Sequence, residues 1–273
     1  MATTTVEPQV ETPGLPLVEM LGISKSFGAV RAVVEASLSI RAAEVVGIVG
    51  DNAAGKSTLM KVLSGAHEPT VGEIRMGGVP VRFTSPHDAR RRGIEMVYQN
   101  FALVPQLDIA ANIFLGREPV RSGLASLVGL LNRPTMDTET RKLFGQLGVD
   151  IGSVRAKVRT LSGGQQQAVA IARAMAFEAR LIIMDEPTAN LSVSGIEMVR
   201  GVIRTLKGHG ISVIVISHRL EDIFAVADRV LVMKRGRVIG GRAMQHTDMD
   251  EVLQMIVTGA AETSSAPTTV EDA

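Results

Sequence analysis

The 273-residue chain predicts an α/β fold with an antiparallel β subdomain and an inserted α-helical subdomain. Three observations carry that expectation. Short apolar runs at 45–49, 181–184, 211–216 and 229–233 are separated by amphipathic helical patterns, which is how a layered α/β core reads in one dimension. Upstream, Val34, Ala36, Leu38 and Ile40 alternate with Glu35, Ser37 and Ser39, the period of a half-exposed antiparallel strand. From residue 101 to 160 the strand signals stop, and helical and loop-rich sequence takes over.

The elements follow in order. Thr, Pro, Val and Glu dominate residues 2–16, and Ser, Thr, Ala and acidic residues dominate 260–273. Both ends are expected to be disordered tails, 1–16 and 260–273, around one domain spanning 17–259. The first 24 residues hold neither Lys nor Arg, which argues against a secretory signal. "VGEIRMGGVPVRF" predicts a hairpin turning at Gly77-Gly78. Arg90, Arg91 and Arg92 form a tight basic run, expected to be a solvated helix end. Pro105, Pro119 and Pro134 break the helical subdomain at 101–160. Helical core stripes are expected at Ala168, Ile171, Ala172 and Met175; at Ile196, Val199, Ile203 and Leu206; and at Leu220, Ile223, Phe224 and Ala227, while Met249, Val252, Leu253 and Ile256 form a short helical stripe. His67, His87, His209 and His246 are expected at the surface.

Composition removes several function classes. Lys and Arg total 29 against 28 Asp and Glu, so the net charge of +1 gives no field that would collect a polyanion. Seven Phe, one Tyr and no Trp leave little to stack on bases, and no nucleic-acid partner is expected. The absence of cysteine excludes disulfides, thiolate zinc and thiol redox chemistry. The longest apolar runs fall far short of the roughly 20 residues that span a bilayer, so a membrane role needs a partner.

"GDNAAGKST", residues 50–58, supplies the chemistry. A glycine-rich turn between a buried strand and a helix aims successive backbone N–H groups at phosphate oxygens, and the helix dipole adds to the attraction. Gly50, Asp51, Asn52, Ala53, Ala54 and Gly55 make the turn, with Gly50 and Gly55 allowing its tightness. Lys56 can reach the β and γ phosphates, the Ser57 hydroxyl can ligate Mg²⁺, and Thr58 is expected to begin the helix proper. The fold expectation thereby narrows to a P-loop NTPase (RecA-like) core. Ala53 stands where many such loops carry glycine.

"LIIMDEPTAN", residues 181–190, is read as a buried strand ending in Asp185, expected on the strand next to the P-loop strand, where its carboxylate can hold Mg²⁺. Glu186 can orient and deprotonate an attacking water. Alone, two acids after a strand are as well explained by a helix-capping turn. "LSGGQQQAVAIARAM", residues 161–175, starts a helix at Ser162, Gly163, Gly164 and Gln165, a second glycine-rich helix end suited to phosphate. Alone it reads as a plain capped helix.

"GDNAAGKS", "LSGGQ", "LIIMDEP" and "ISHR", in that order, resemble the ATP-binding cassette subunits of ABC transporters, over about residues 17–258. The resemblance implies ATP and Mg²⁺ as cofactors and a homodimer in which the Ser162–Gln165 end closes on the partner's nucleotide. It implies that Gln99 in "VYQN" senses Mg²⁺ and the γ-phosphate, that His218 contacts the γ-phosphate, and that Phe27 in "KSFGAV" stacks on adenine. Lys56, Gln99, Glu186 and His218 are thus the catalytic set, with Ser57, Gln99 and Asp185 toward the metal. Ser192 in "ANLS" departs from the aspartate usual there, which weakens coordination through that loop.

Within the family, "YQNFALVPQLDIAANIFLGRE" and "TDMDEVLQMIVTGA" are similar to cassettes of ribose- and fructose-type monosaccharide importers, resembling their single-cassette members. That likeness implies transmembrane permease subunits, a periplasmic or extracellular solute-binding protein, and a peripheral place on the cytoplasmic face of the membrane. It further implies that about half of the apolar residues from Phe101 to Leu115 form a groove for a cytoplasmic helix of the permease. The alternative, a soluble cassette ATPase acting on nucleic acid or ribosomes, typically has two cassettes or a long coiled-coil insertion.

Overall fold

The computed structural model describes residues 14–121 and 129–259; the tails expected at 1–16 and 260–273 lie outside it, except for 14–16. The described strands are β1 (Val18–Phe27), β2 (Val30–Ile40), β3 (Val45–Val49), β4 (Val71–Met76), β5 (Val79–Val81), β6 (Ile94–Val97), β7 (Leu181–Asp185), β8 (Ser212–Ile216), β9 (Arg229–Lys234) and β10 (Arg237–Ala243). The described helices are α1 (Lys56–Leu63), α2 (Pro86–Arg91), α3 (Ile109–Ile113), α4 (Arg133–Leu147), α5 (Gly163–Met175), α6 (Val193–Gly208), α7 (Leu220–Val226) and α8 (Met249–Thr258).

They build two sheets. One is antiparallel, in the order β2-β1-β4-β5. The other runs β10-β9-β3-β8-β7-β6, parallel from β9 to β6 with β10 antiparallel at its edge. Its inner strands are buried on both faces, which is why they read as unbroken apolar runs. Successive side chains divide between two cores. Val45, Val49, Ile182, Met184, Val213 and Val215 join the core that includes α5 and α6. Val46, Ile48, Leu181, Ile183, Ile214 and Ile216 join the core beneath α1 and the antiparallel sheet.

The alternating stretch at 34–40 is β2, with Val34, Ala36, Leu38 and Ile40 buried. Gly77 and Gly78 turn the β4–β5 hairpin with φ of 54° and 79°, values that favour glycine at both positions. The strands β1, β6 and β10 carry no pattern that the sequence reading picked out.

Three expectations are corrected, and the stripe at 249–256 is resolved into two faces. Pro134 does not break a helix but sits in the first turn of α4, where its missing N–H is harmless, beneath an Asn132 cap. Arg90 is no solvated end, since its guanidinium pairs with the buried Glu95 and lies 4.7 Å from the centre of the Phe177 ring. On α8 the buried face is Val252 and Met255, while Met249 and Leu253 are exposed, because apolar residues spaced both three and four apart left the facing side open. Finally, β7 is not the neighbour of β3: β8 lies between them.

Candidate active site

The intervening β8 is what assembles the site. In register, Ile48 of β3 pairs with Ile216 of β8, and Ile216 pairs with Asp185 of β7. The three strands end level, and ligands of open α/β sheets bind beyond such carboxyl ends. The P-loop leaves β3 there, Glu186 follows β7, and His218 follows β8.

The P-loop is shaped by its walls. A side chain on Gly50 would place its Cβ 2.0 Å from the Met233 carbonyl oxygen of β9, and one on Gly55 would sit 2.5 Å from the Ala32 carbonyl oxygen of β2. Gly236 in the β9–β10 turn donates to the Ala54 carbonyl at 2.9 Å and holds the loop from behind. Ala53 adopts φ 64°, so alanine keeps the left-handed backbone that glycine takes more readily, at about 1–2 kcal/mol. The helix begins at Lys56, two residues before the expected Thr58, with Gly55 as an N-cap that makes no side-chain bond. Its first amides therefore have no side-chain competitor for an anion.

Lys56 is buried, its ammonium donating to the carbonyls of Gly50 at 2.7 Å and Asp51 at 2.9 Å. Burial pulls its pKa below the usual lysine value, while the carboxylates of Glu186, Asp185 and Asp51 pull the other way. The Ser57 hydroxyl donates to Asp185 at 3.3 Å across 128 residues of sequence. Burial pushes the Asp185 carboxyl up; the Ser57 hydrogen bond opposes this, and the neighbouring Glu186 charge adds to it. A hydroxyl and a carboxylate meeting beside a buried lysine form a donor set suited to Mg²⁺, which takes one or two protein oxygens and fills its shell with phosphate and water.

Glu186 occupies φ 52°, a left-handed conformation that is uncommon outside glycine, and its N–H donates to the Ile216 carbonyl at 2.9 Å. Such strain persists where surrounding structure holds it, and it gathers at functional sites. Its Oε2 lies 2.7 Å from Nδ1 of His218, whose ring is largely exposed. Thus Lys56, Ser57, Asp185, Glu186 and His218 lie together at one end of the sheet. Gln99 lies two residues beyond β6 at the same end of the sheet, exposed.

Phe27 ends β1 and is 45% exposed, T-shaped to His67 with ring centres 5.2 Å apart and with the Lys25 ammonium over its ring at 5.2 Å, so adenine would have to share or displace that cation. Ser162, Gly163, Gly164 and Gln165 behave differently from the P-loop. Ser162 accepts from the Gln165 N–H at 3.3 Å and its own N–H donates to the Gln165 side chain at 3.0 Å, a closed capping box. Gly164 packs against Gly195 so closely that a Cβ would lie 2.9 Å from the Gly195 Cα. Ser192 caps α6 by accepting from the Gly195 N–H at 3.3 Å, the task an aspartate would also perform, so the departure keeps the local backbone.

Sequence reasoning missed a cavity of about 240 Å³ lined by Arg90, Glu95, Tyr98, Ala102, Leu115 and Arg173, among others. Arg173 of α5 donates to the carbonyls of Ala102 at 2.7 Å and Phe101 at 3.1 Å. Those two residues follow Gln99 and are both left-handed, at φ 57° and 47°. The arginine thus ties the helix that starts with "SGGQ" to the turn after Gln99. Phe101, Leu103 and Phe114 pack partly against the main core, Ile109 and Ile113 are buried, and Leu115 is exposed.

Comparison with known proteins agrees with this geometry. The family model described as "ABC transporter" matches residues 33–189, more than half of the chain. A xylose/arabinose import ATP-binding protein of Sulfolobus acidocaldarius is 43% identical over 89% of this chain and 95% of its own length. A ribose import ATP-binding protein of Rubrobacter xylanophilus is 45% identical over 89% of this chain, which spans only 48% of that relative. A solved ATP-binding cassette of an ABC transporter, in its ADP conformation, superposes with a TM-score of 0.74 at 25% identity, covering 89% of this chain and 95% of that one. A dimeric bacterial ABC transporter cassette shares the fold at a TM-score of 0.69 and 22% identity, covering 84% of this chain and all of that one. The chain therefore belongs to the ABC transporter family, as one of its ATP-hydrolysing cassettes.

Proposed function

We propose that this cassette works as a homodimer on the cytoplasmic face of the membrane, coupling ATP hydrolysis to the import of a monosaccharide through permease subunits fed by a solute-binding protein. The observation that carries the enzymatic part is the convergence of Lys56, Ser57, Asp185, Glu186 and His218 at the level ends of β3, β7 and β8. The sugar class rests on the import proteins to which the chain is similar, one for xylose/arabinose and one for ribose. Among the described residues no helix is long and apolar enough to cross a membrane, so the translocation path falls to other subunits.

In this reading each residue has a task set by its position. The uncapped α1 amides and Lys56 hold the β and γ phosphates, exchanging the loop carbonyls that the ammonium now contacts for phosphate oxygens. Ser57, Asp185 and Gln99 would hold Mg²⁺, which when bound neutralises charge on the β and γ oxygens. Glu186 takes a proton from the attacking water, and His218, held on its Oε2, faces the γ-phosphate. Phe27 stacks on adenine. The capping-box end of α5 meets the γ-phosphate of the second copy, so closure depends on an intact triphosphate and reverses after hydrolysis. A side chain from a cytoplasmic helix of the permease enters the cavity by Ala102 and Leu115.

The test is reconstitution in vesicles with a candidate permease and its solute-binding protein. Pentoses and hexoses supplied with the binding protein should stimulate ATP hydrolysis and accumulate. Hydrolysis that responds to DNA or ribosomes, and not to the permease, would favour the soluble reading instead.

A further inference from the structure

Behind the Glu186–His218 pair lies a buried carboxylate to which the mechanism above gives no part. Asp222, in the first turn of α7, is 3% exposed. Its Oδ2 accepts from the buried Thr188 hydroxyl at 2.5 Å, and its Oδ1 accepts from Arg200 of α6 at 2.6 Å. Thr188 stands two residues after Glu186, and Asp222 four residues after His218. Beyond the strand-end bond from the Glu186 N–H to the Ile216 carbonyl, two side-chain bonds join the loops, at the front Glu186 Oε2 to His218 Nδ1 at 2.7 Å and at the back Thr188 to Asp222. Backbone and hydrogen bonds close a ring through Glu186, Thr188, Asp222 and His218. Arg200 braces that ring against α6, the helix whose start Ser192 caps.

We infer that Thr188 and Asp222 are positioning residues that fix the spacing of Glu186 and His218, so that both meet the γ-phosphate and water in one geometry. The physical reason is the exposure of His218. Its ring is 59% exposed and is held by the front bond to Glu186. A bond to a ring that water reaches this freely is weakened by that water, although Glu186 itself is only 17% exposed. The back bond is buried and charge-assisted, so it is shorter and roughly twice as strong as a neutral one. Release of the back bond would let either loop shift, and a misplacement of about 1 Å at reacting groups can lower a rate about 100-fold.

This inference rests on the roles proposed for Glu186 and His218, and its test keeps the two separable. Thr188→Val removes the hydroxyl while keeping the shape and the Arg200–Asp222 pair. In single-turnover and steady-state ATPase assays its kcat should fall at least ~10-fold, with KM and nucleotide affinity unchanged, and Thr188→Ser should restore most of the rate. In the His218→Ala background the same change should have little further effect, because the position it protects is already vacant. Wild-type kcat in Thr188→Val overturns the inference, as does an equal fold-loss in both backgrounds, a matching rise in KM, or no rescue by serine. Glu186→Gln and His218→Ala run alongside: if those two hydrolyse ATP at the wild-type rate, the site assignment fails; if they fall and Thr188→Val does not, only the ring fails.

Discussion

The chain has two glycine-rich helix starts, at α1 and α5, and they are built in opposite ways. The α1 end is open: no side chain caps it, β2 and β9 wall it with backbone carbonyls, and a buried lysine and three carboxylates stand around it. The α5 end is closed on itself by Ser162 and Gln165, and its glycines are spent on packing against Leu191 and Gly195. One end holds reacting groups of its own. The other offers a rigid, pre-satisfied dipole and a hydroxyl, a surface for recognising phosphate rather than transforming it. The difference teaches that the similarity of two motifs in sequence does not make them equivalent: the α5 end carries no reacting groups of its own, and the homodimer proposed above would bring it to those of a second copy.

The largest expected effect is at the α1 end. Lys56→Ala should reduce ATP hydrolysis at least ~100-fold, because a preorganised charge on the transferring phosphate is worth about that much. A steady-state phosphate-release assay with near-normal turnover would remove the contrast, leaving neither end catalytic.

Next is the surface between the two ends. The cavity beside the Gln99 turn is also joined to α5 through Arg173, so a partner seated there touches both. Leu115→Glu places a charge on an exposed position that lines the cavity. Permease-stimulated hydrolysis in vesicles should drop ~10-fold or more while basal hydrolysis stays, since a charged side chain drawn toward Arg90 and Arg173 would occupy the space the partner needs. Phe101 and Leu103 are poorer targets than the sequence suggests, because both pack partly on the main core and a charge there would unsettle the fold.

Much of this was legible in the sequence, for reasons that differ by region. The P-loop reads clearly because glycine, lysine and serine at that spacing serve backbone geometry and phosphate chemistry at once, and the walls at Met233 and Ala32 show why glycine is required. The inner strands read clearly because burial on both faces makes them apolar throughout. The position of β8 between β3 and β7 was not legible, since strand order is set by where connecting helices pack and leaves no mark in local spacing. Nor was the role of Arg90: a run of three arginines looks like a solvated face until Glu95 and Phe177, distant in sequence, are placed beside it. The closed state of the α5 end was half visible, as Ser162 and Gln165 have capping-box spacing, but only coordinates show both bonds formed.

A smaller effect is expected at the adenine. Phe27→Ala should raise KM for ATP ~2–10-fold with kcat nearly kept, the value of one aromatic stack. An unchanged KM would move that role to another residue.

The smallest effect concerns stability at the α1 end. Asp185 has its carboxyl raised by burial, so in the folded protein its charged form is disfavoured relative to the unfolded chain. A raised carboxyl destabilises the fold at pH above its folded pKa, and that penalty disappears as pH falls below the unfolded value of about 3.9. Asp185→Asn without nucleotide should therefore melt higher than wild type at neutral pH, with the gap narrowing toward pH 4. A lower melting temperature at every pH would mean that the carboxylate stabilises the fold through Ser57.

The central claim is that the open α1 end of one copy and the closed α5 end of another meet on one ATP. Glu186→Gln keeps the metal and phosphate ligands and removes the base, so ATP should bind and persist. Light scattering after size exclusion should then show this variant as a dimer with ATP and a monomer without it, and adding Ser162→Arg should return it to monomer with ATP still bound. A monomer in saturating ATP, or a dimer that survives Ser162→Arg, would contradict the account.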